Sequence, residues 1–318
     1  MDIKARIIFY GTPDFAVASL ESLADEGFEV AAVVTAPDKP AGRGLKLSES
    51  PVKVSARNRN IPVLQPVSMK SAGFLEEIRR FSPDLQVVVA FRMMPKEVWS
   101  LPPLGTFNLH ASLLPQYRGA APINWAIING ETETGVTTFF LQEQIDTGNV
   151  IFSEKIRIGP DETAGELHDR LKVIGARLVV KTALAAAEGI IRTLPQTDLH
   201  PAGEILKPAP KFTRADARID LKGNCTDVYN LIRGMSPYPG AYTDIPLSDG
   251  SSMELKILRA FPDPEPGVIF PTVFQTDRRT FLRMGLKDGS LLLTEVQPAG
   301  KKVMKIGEFL NGYGRLIS

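Results

Sequence analysis

The first third of the chain alternates short, almost wholly apolar runs with longer amphipathic ones. ARIIFYG (residues 5–11), EVAAVVTAP (29–37), IPVLQP (61–66) and DLQVVVAF (84–91) have the length and unbroken apolarity of strands covered on both faces. Between them, DFAVASLESLADEG (14–27) and SAGFLEEIRRFSP (71–83) repeat apolar residues at helical spacing, the first closed by Gly27 and the second stopped before Pro83. Strands alternating with helices predict an α/β unit built on a parallel sheet, which binds ligands at the carboxyl ends of its strands.

The pattern then changes. GTFNLHAS (105–112) reads as a further strand, and the run that follows it, SLLPQYRGAAP, suits neither helix nor strand. A loop this elaborate on a strand end is more often a site than a connection. TGVTTFFLQEQIDTGNVIFSEKIRI (134–158) reads as a strand pair joined through Asp146-Thr147-Gly148-Asn149, and residues 163–189 as one long amphipathic helix or two. The α/β unit therefore spans residues 1–189. Residues 190–206 are proline-bearing and aperiodic and read as a linker, semi-rigid where prolines cluster. Beyond them, residues 207–318 carry one helix, DVYNLIRGM, and five short strand runs (PYPGAYTDI, MELKILRAF, PGVIF, TFLRMGL and GSLLLTEVQPAG), which suggest a small β-barrel.

Composition narrows the field. A chain of 318 residues with 43% hydrophobic and 23% charged residues is that of an ordinary two-domain globular protein. No stretch looks like a signal peptide or a membrane span, so a cytoplasmic protein without a membrane partner is expected. The single cysteine, Cys225, forms no internal disulfide, and with three scattered histidines it makes a zinc site of ordinary spacing implausible; no metal is expected. The net charge of +1 is uneven: residues 207–318 hold 16 basic and 12 acidic residues, leaving the rest of the chain slightly acidic. Solvated surface and a basic, nucleic-acid-facing second domain suit that asymmetry equally.

Chemistry-bearing residues gather in three places. The turn YGTPDFA follows the first strand, where a dinucleotide fold carries its glycine fingerprint, but G-x-G-x-x-G is absent and an NAD-linked reductase is excluded. Asn108 and His110 lie two apart on a strand and leave the same face. Asn108 can donate to a developing oxyanion and His110 can move a proton, while Asp146, in its glycine-bearing turn, can balance a positive imidazole. The same residue types also suit a core histidine and a turn aspartate. Finally, PDKPAGRGLKLSESPVKVSA places Lys39, Arg43, Lys46 and Lys53 in a Pro/Gly-rich insertion after the second strand, which alone reads as a solvated basic loop.

Taken together and in order, FYGTPDFA, APDKPAGRGLKL, NLHASLLPQYRGAAPI, IDTGNV and KPAPKFTRADARID resemble the methionyl-tRNA formyltransferases, within the wider group of formyltetrahydrofolate-dependent transferases. The resemblance covers essentially the whole chain. It implies a Rossmann-like catalytic domain followed by an OB-like barrel, and transfer of a formyl group from 10-formyltetrahydrofolate to methionyl initiator tRNA by a monomer. It implies that Asn108, His110 and Asp146 are catalytic, that Ser112, Leu113, Leu114 and Pro115 line the folate site, and that Arg43 meets the tRNA acceptor end. The trio does not itself separate this reaction from formylation of a sugar-nucleotide or ribonucleotide amine, but, being intact, it argues against an RNA-binding protein with a dead transferase domain. Two positions depart from the family pattern: AFRMMPKEVW puts Arg92 in a loop expected beside the pterin, and QEQIDTG approaches Asp146 with more polar residues than usual.

Overall fold

The structure is a computed structural model that describes residues 5–41, 46–200, 203–263 and 273–317. The chain forms two compact units, one of Met1–Pro122, Thr134–Ile156 and His168–Ala209, the other of Ile123–Glu133, Arg157–Leu167 and Pro210–Ser318.

The apolar runs of the first unit become strands β1 (Arg6–Gly11) and β2 (Glu29–Val34), separated by helix α1 (Asp14–Asp25). Ile7, Ile8, Phe9 and Tyr10 are all fully buried, as a strand covered on both faces requires. The Pro/Gly-rich insertion forms a short hairpin, β3 (Lys39–Ala41) and β4 (Lys46–Ser48), with Lys39 opposite Ser48. Helix α2 (Pro51–Asn58) starts where Ser50 accepts a hydrogen bond from the Lys53 amide and proline occupies the first turn, both favourable at a helix start. Strand β5 (Val63–Leu64), helix α3 (Ala72–Arg80, capped by Ser71), strand β6 (Leu85–Val89), the short helix α4 (Lys96–Trp99) and strand β7 (Thr106–His110) follow. Helix α5 (Pro122–Ile128), which the sequence pattern did not reveal, precedes strands β8 (Glu133–Phe140) and β9 (Val150–Arg157), and one helix, α6 (Ala164–Ala187), spans the long amphipathic run.

The sheet runs β5-β2-β1-β6-β7-β8-β9. Its first five strands are parallel, and β8 lies antiparallel to β7. Register decides where the next loop must go. Phe140 pairs with Phe107 and Thr137 with His110, so the chain leaves β8 beside the foot of β7. Residues 141–149 have to climb back roughly 10 Å, three strand residues, to reach the level of His110.

The second unit is an antiparallel half-barrel. Helix α7 (Cys225–Met235) is followed by β10 (Ala241–Pro246), β11 (Ser252–Pro262), β12 (Phe274–Thr276), β13 (Leu282–Leu286), β14 (Gly289–Pro298), β15 (Met304–Lys305) and helix α8 (Ile306–Tyr313). The order is β10-β11-β14-β13-β12, with β15 on β14. Register shifts between Ile257 and Ala260 bend the long strand β11 around a core that includes Ile257, Leu291, Val296 and Phe309. Of the strand runs expected from sequence, PGVIF lies outside the described residues.

Candidate active site

Strand β7 ends in the two residues the sequence pattern singled out. Asn108 is half-buried, and among the described residues no protein group hydrogen-bonds its side chain. His110 is 6% exposed, with Nε2 2.8 Å from the Tyr117 carbonyl oxygen. A carbonyl only accepts, so Nε2 carries the hydrogen and a neutral ring has its lone pair on Nδ1. That nitrogen lies 3.8 Å from Asp146 Oδ2, too long for a hydrogen bond and close enough for charge to matter. The structure thus brings Asn108, His110 and Asp146 into one neighbourhood, with Nδ1 as the proton-exchanging atom.

Asp146 is delivered by the climbing loop. Its backbone is left-handed (φ 53), and its Oδ2 accepts from the Gly119 amide at 3.0 Å. Two glycines make the arrangement possible. A Cβ at Gly148 would sit 1.6 Å from the Phe140 carbonyl oxygen, so only glycine lets the loop fold back on its own strand. Gly119 has φ +127, and its Cβ would meet the Ala209 carbonyl at 2.4 Å.

That last contact exposes something sequence reading missed. The residues just past the stretch read as a linker are hydrogen-bonded along the site loop: Tyr117 N donates to Lys207 O, Ala209 N to Arg118 O, and Ala121 N to Ala209 O. Gln116 also reaches Glu204, the Ile205 carbonyl and the Lys207 amide. Deeper in, the buried Gln196 accepts from Arg118 Nε and Nη2 at 3.0 and 2.6 Å and donates to the carbonyls of Asp146 and Gly148 at 2.9 and 2.8 Å. A non-glycine left-handed residue costs on the order of 1 kcal/mol, which two buried hydrogen bonds of about 1 kcal/mol each offset. Burial lowers the Arg118 guanidinium below the usual arginine range, and the Asp146 carboxylate opposes that shift. An isolated glutamine in an aperiodic run carries no sequence signal of this role.

The SLLP segment turns inward. Ser112 is fully buried and its hydroxyl donates to the Gln116 carbonyl, while Thr137 on β8 bonds the Ser112 carbonyl and the Leu114 amide. Leu114 packs with Phe139 and Val150, Pro115 is buried after a cis peptide bond, and only Leu113 is partly exposed. A hollow of about 330 Å³ is walled by Trp99 from α4 and by Gln142, Glu143, Gln144 and Thr147 of the climbing loop. A Lys96–Glu143 ion pair at 2.6 Å ties the two walls. Arg92 neither enters that space nor floats in solvent. It donates to the carbonyls of Pro66 and Val67 at 2.5 and 3.4 Å, joining the loop after β6 to the loop after β5.

The basic residues are less available than their sequence positions suggest. Arg43 lies outside the described residues. Lys53 is no free cation: it bonds Asp38 at 2.5 Å and Glu49 at 3.1 Å, and Asp38 also accepts from Gln65. Those bonds, Asp38 first, hold Lys53 above the usual lysine range and close the base of the β3–β4 hairpin. In the second unit Arg214 pairs with Glu254 and Arg218 with Asp244, both guanidinium groups lying over the Tyr242 ring. Exposed pairs of this kind contribute only about 0–1 kcal/mol to stability, but they neutralise both cations, reducing the basic surface the second unit offers to nucleic acid. Among the described residues no group of three His, Cys, Asp or Glu side chains converges to hold a metal, and no helix is long and apolar enough to cross a membrane.

With this geometry in hand, comparison with known proteins is informative. The profile described as formyl transferase matches residues 4–183, and that of the formyl transferase C-terminal domain matches residues 211–314. A methionyl-tRNA formyltransferase of Bacteroides fragilis is 47% identical over 308 residues, covering 97% of this chain and 95% of the relative. One from Parabacteroides distasonis is 47% identical over 312 residues, 98% and 96% of the two chains. Among solved structures, the sugar 3N-formyl transferase WlaRD, crystallised with dTDP and 5-N-formyl-THF, matches with a TM-score of 0.64 and 22% identity over 94% of this chain and 99% of its own. At that identity the likeness is one of fold.

Proposed function

This chain belongs to the formyl transferase family, and on that premise we propose that it transfers the formyl group of 10-formyltetrahydrofolate to the α-amino group of methionyl initiator tRNA. The observation that carries the acceptor is the 47% identity to a methionyl-tRNA formyltransferase over nearly the full length of both chains. The likeness to a sugar formyltransferase rests on fold alone, so a sugar-nucleotide amine is not favoured. Residues 1–189 are assigned the chemistry, residues 207–318 the body of the tRNA, and residues 190–206 the connection between them. The protein acts as a cytoplasmic monomer.

The residues suit the donor. The hollow beside Asp146 is lined by an aromatic residue, two glutamines, a glutamate and a threonine, residue types that suit a flat heterocycle with hydrogen-bonding edges, and its volume is at the lower end for a small-molecule site. Trp99, Gln142, Gln144 and Thr147 would hold the ring, and Leu113 is the one SLLP side chain left partly exposed. Ser112, Leu114 and Pro115 would shape the wall from behind. The donor supplies a formyl carbon already activated on nitrogen.

What the chain supplies is placement of charge. The Asn108 amide, with no partner to give up among the described residues, donates to the formyl oxygen as negative charge builds there. His110 donates from Nδ1 once that atom is protonated, its Nε2 fixed by the Tyr117 carbonyl. Asp146 balances the positive ring and, held by the Gly119 amide, keeps one oxygen directed at it. The ring and the carboxylate together give the attacking amine's proton a path to the departing nitrogen. Arg43, which lies outside the described residues, would meet the acceptor end of the tRNA.

Competition between acceptors tests the assignment. The protein is supplied with 10-formyltetrahydrofolate and, in turn, methionyl initiator tRNA, an amino-sugar nucleotide and glycinamide ribonucleotide. The expected result is formylmethionine from the tRNA with kcat/KM at least about 10³-fold above either small amine. Preferential formylation of a small amine would overturn it.

A further inference from the structure

We infer that Gln196 is a positioning residue for formyl transfer: it holds the Asp146 turn against the Arg118–Gly119 loop and so fixes the carboxylate beside His110. The inference rests on the reaction proposed above, but its structural half does not.

Gln196 opens a single 3-10 turn, Gln196–Leu199, just after Leu194 pairs with Val150 at the start of β9. It is 4% exposed, and its carboxamide has no spare capacity. Two acceptor positions take Arg118 Nε and Nη2, and two donor positions serve the carbonyls of Asp146 and Gly148. The group is therefore a four-way joint. On one side stands the loop whose Gly119 amide grips the Asp146 carboxylate; on the other stands the backbone on both sides of Thr147. Asp146 is left-handed, and the two carbonyls that Gln196 grips flank the turn that makes it so. Removing the donors frees those carbonyls to rotate. The Asp146 carboxylate would then leave Gly119, and its distance to His110 would no longer be set. No atom of Gln196 needs to touch a substrate for this to slow the reaction.

A plain tether makes a different prediction, and Gln196→Glu separates the two. Glutamate keeps the acceptors for Arg118 and even adds charge to that contact, but it presents oxygen to the two carbonyls. If Gln196 merely anchors its segment to Arg118, Gln196→Glu transfers formyl groups like the wild type. If it positions Asp146, both Gln196→Glu and Gln196→Leu lose at least about 10-fold in kcat while KM for both substrates stays within about 3-fold. Amide exchange at Gly119 is read on the same proteins. Positioning predicts acceleration of about 10-fold or more at Gly119 with strands β6 and β7 still protected. Should Gln196→Leu fail to fold, Gln196→Glu carries both readouts alone. Wild-type kcat in Gln196→Glu, or unchanged Gly119 exchange, overturns the inference. Should the wild type itself transfer nothing to methionyl initiator tRNA, the proposed reaction fails, and the exchange result alone still decides whether Gln196 sets Asp146.

Discussion

Two irregular, proline-bearing segments lie side by side in the first unit, residues 111–121 and residues 190–209, and they do opposite work. The first follows the strand that ends in His110 and contributes atoms to the site: the Tyr117 carbonyl on the ring and the Gly119 amide on the carboxylate. The second contributes no group to the reacting centre. Between Ile205 and Ala209 it lends backbone carbonyls and amides to the first, and through Gln196 it reaches the loop that delivers Asp146. One segment touches His110 and Asp146 directly, and the other touches the loops that carry those contacts. Each would collapse without its neighbour, because buried backbone groups in an aperiodic loop must find partners somewhere.

Substitutions can pull the two roles apart. The largest effects belong to the reacting groups. Asn108→Ala removes an amide that no group among the described residues uses, so transfer is expected to fall by about 10²–10³-fold with little change in melting temperature. Asp146→Asn keeps the size but not the charge and is expected to be comparably severe. Steady-state kinetics beside thermal unfolding check both, and wild-type turnover in Asp146→Asn would leave it a turn residue only. Next comes the seam between the segments. Gly119→Ala forces a Cβ against Ala209 in a backbone conformation that alanine avoids, so a loss of roughly 2–4 kcal/mol in stability is expected, with activity down about 10-fold. Denaturant unfolding measures it, and a change below about 0.5 kcal/mol would mean that the strap gives way at no cost. Gln116→Ala touches only the strap's exposed edge, where its partners can turn to water. Its expected cost is about 1 kcal/mol or less, with turnover within about 3-fold of wild type. A larger loss of turnover would show that the edge matters as much as the seam.

The same contrast explains what could be read in advance. Strands such as RIIFYG announced themselves because burial on both faces leaves an unbroken apolar run, and α1 and α3 because one buried face repeats at helical spacing. Asn108, His110 and Asp146 were legible by residue type, strand parity and motif. Residues 190–209 were not, because their partners are backbone atoms and one glutamine, and hydrogen bonds of that kind impose no periodicity. Charge misled for a related reason. Lys53, Arg214 and Arg218 count as cations in a sequence, but their carboxylate partners, Asp38, Glu254 and Asp244, are distant enough in the chain that only the fold pairs them. SLLP directly follows the strand that ends in His110, and Leu114 faces Phe139 and Val150 because Thr137 pins the loop backbone inward.

The account turns on the strand-end histidine, and a single-turnover measurement on His110→Ala tests it most directly. Protein in excess is mixed with methionyl initiator tRNA and saturating 10-formyltetrahydrofolate, and formylmethionine is followed in time, with binding of a folate analogue titrated in parallel. The expected result is a transfer rate lower by about 10²-fold or more with analogue affinity unchanged, since the ring meets the formyl oxygen only as charge develops. A variant that keeps more than about a tenth of the wild-type rate would contradict the assignment of the chemistry to this strand end.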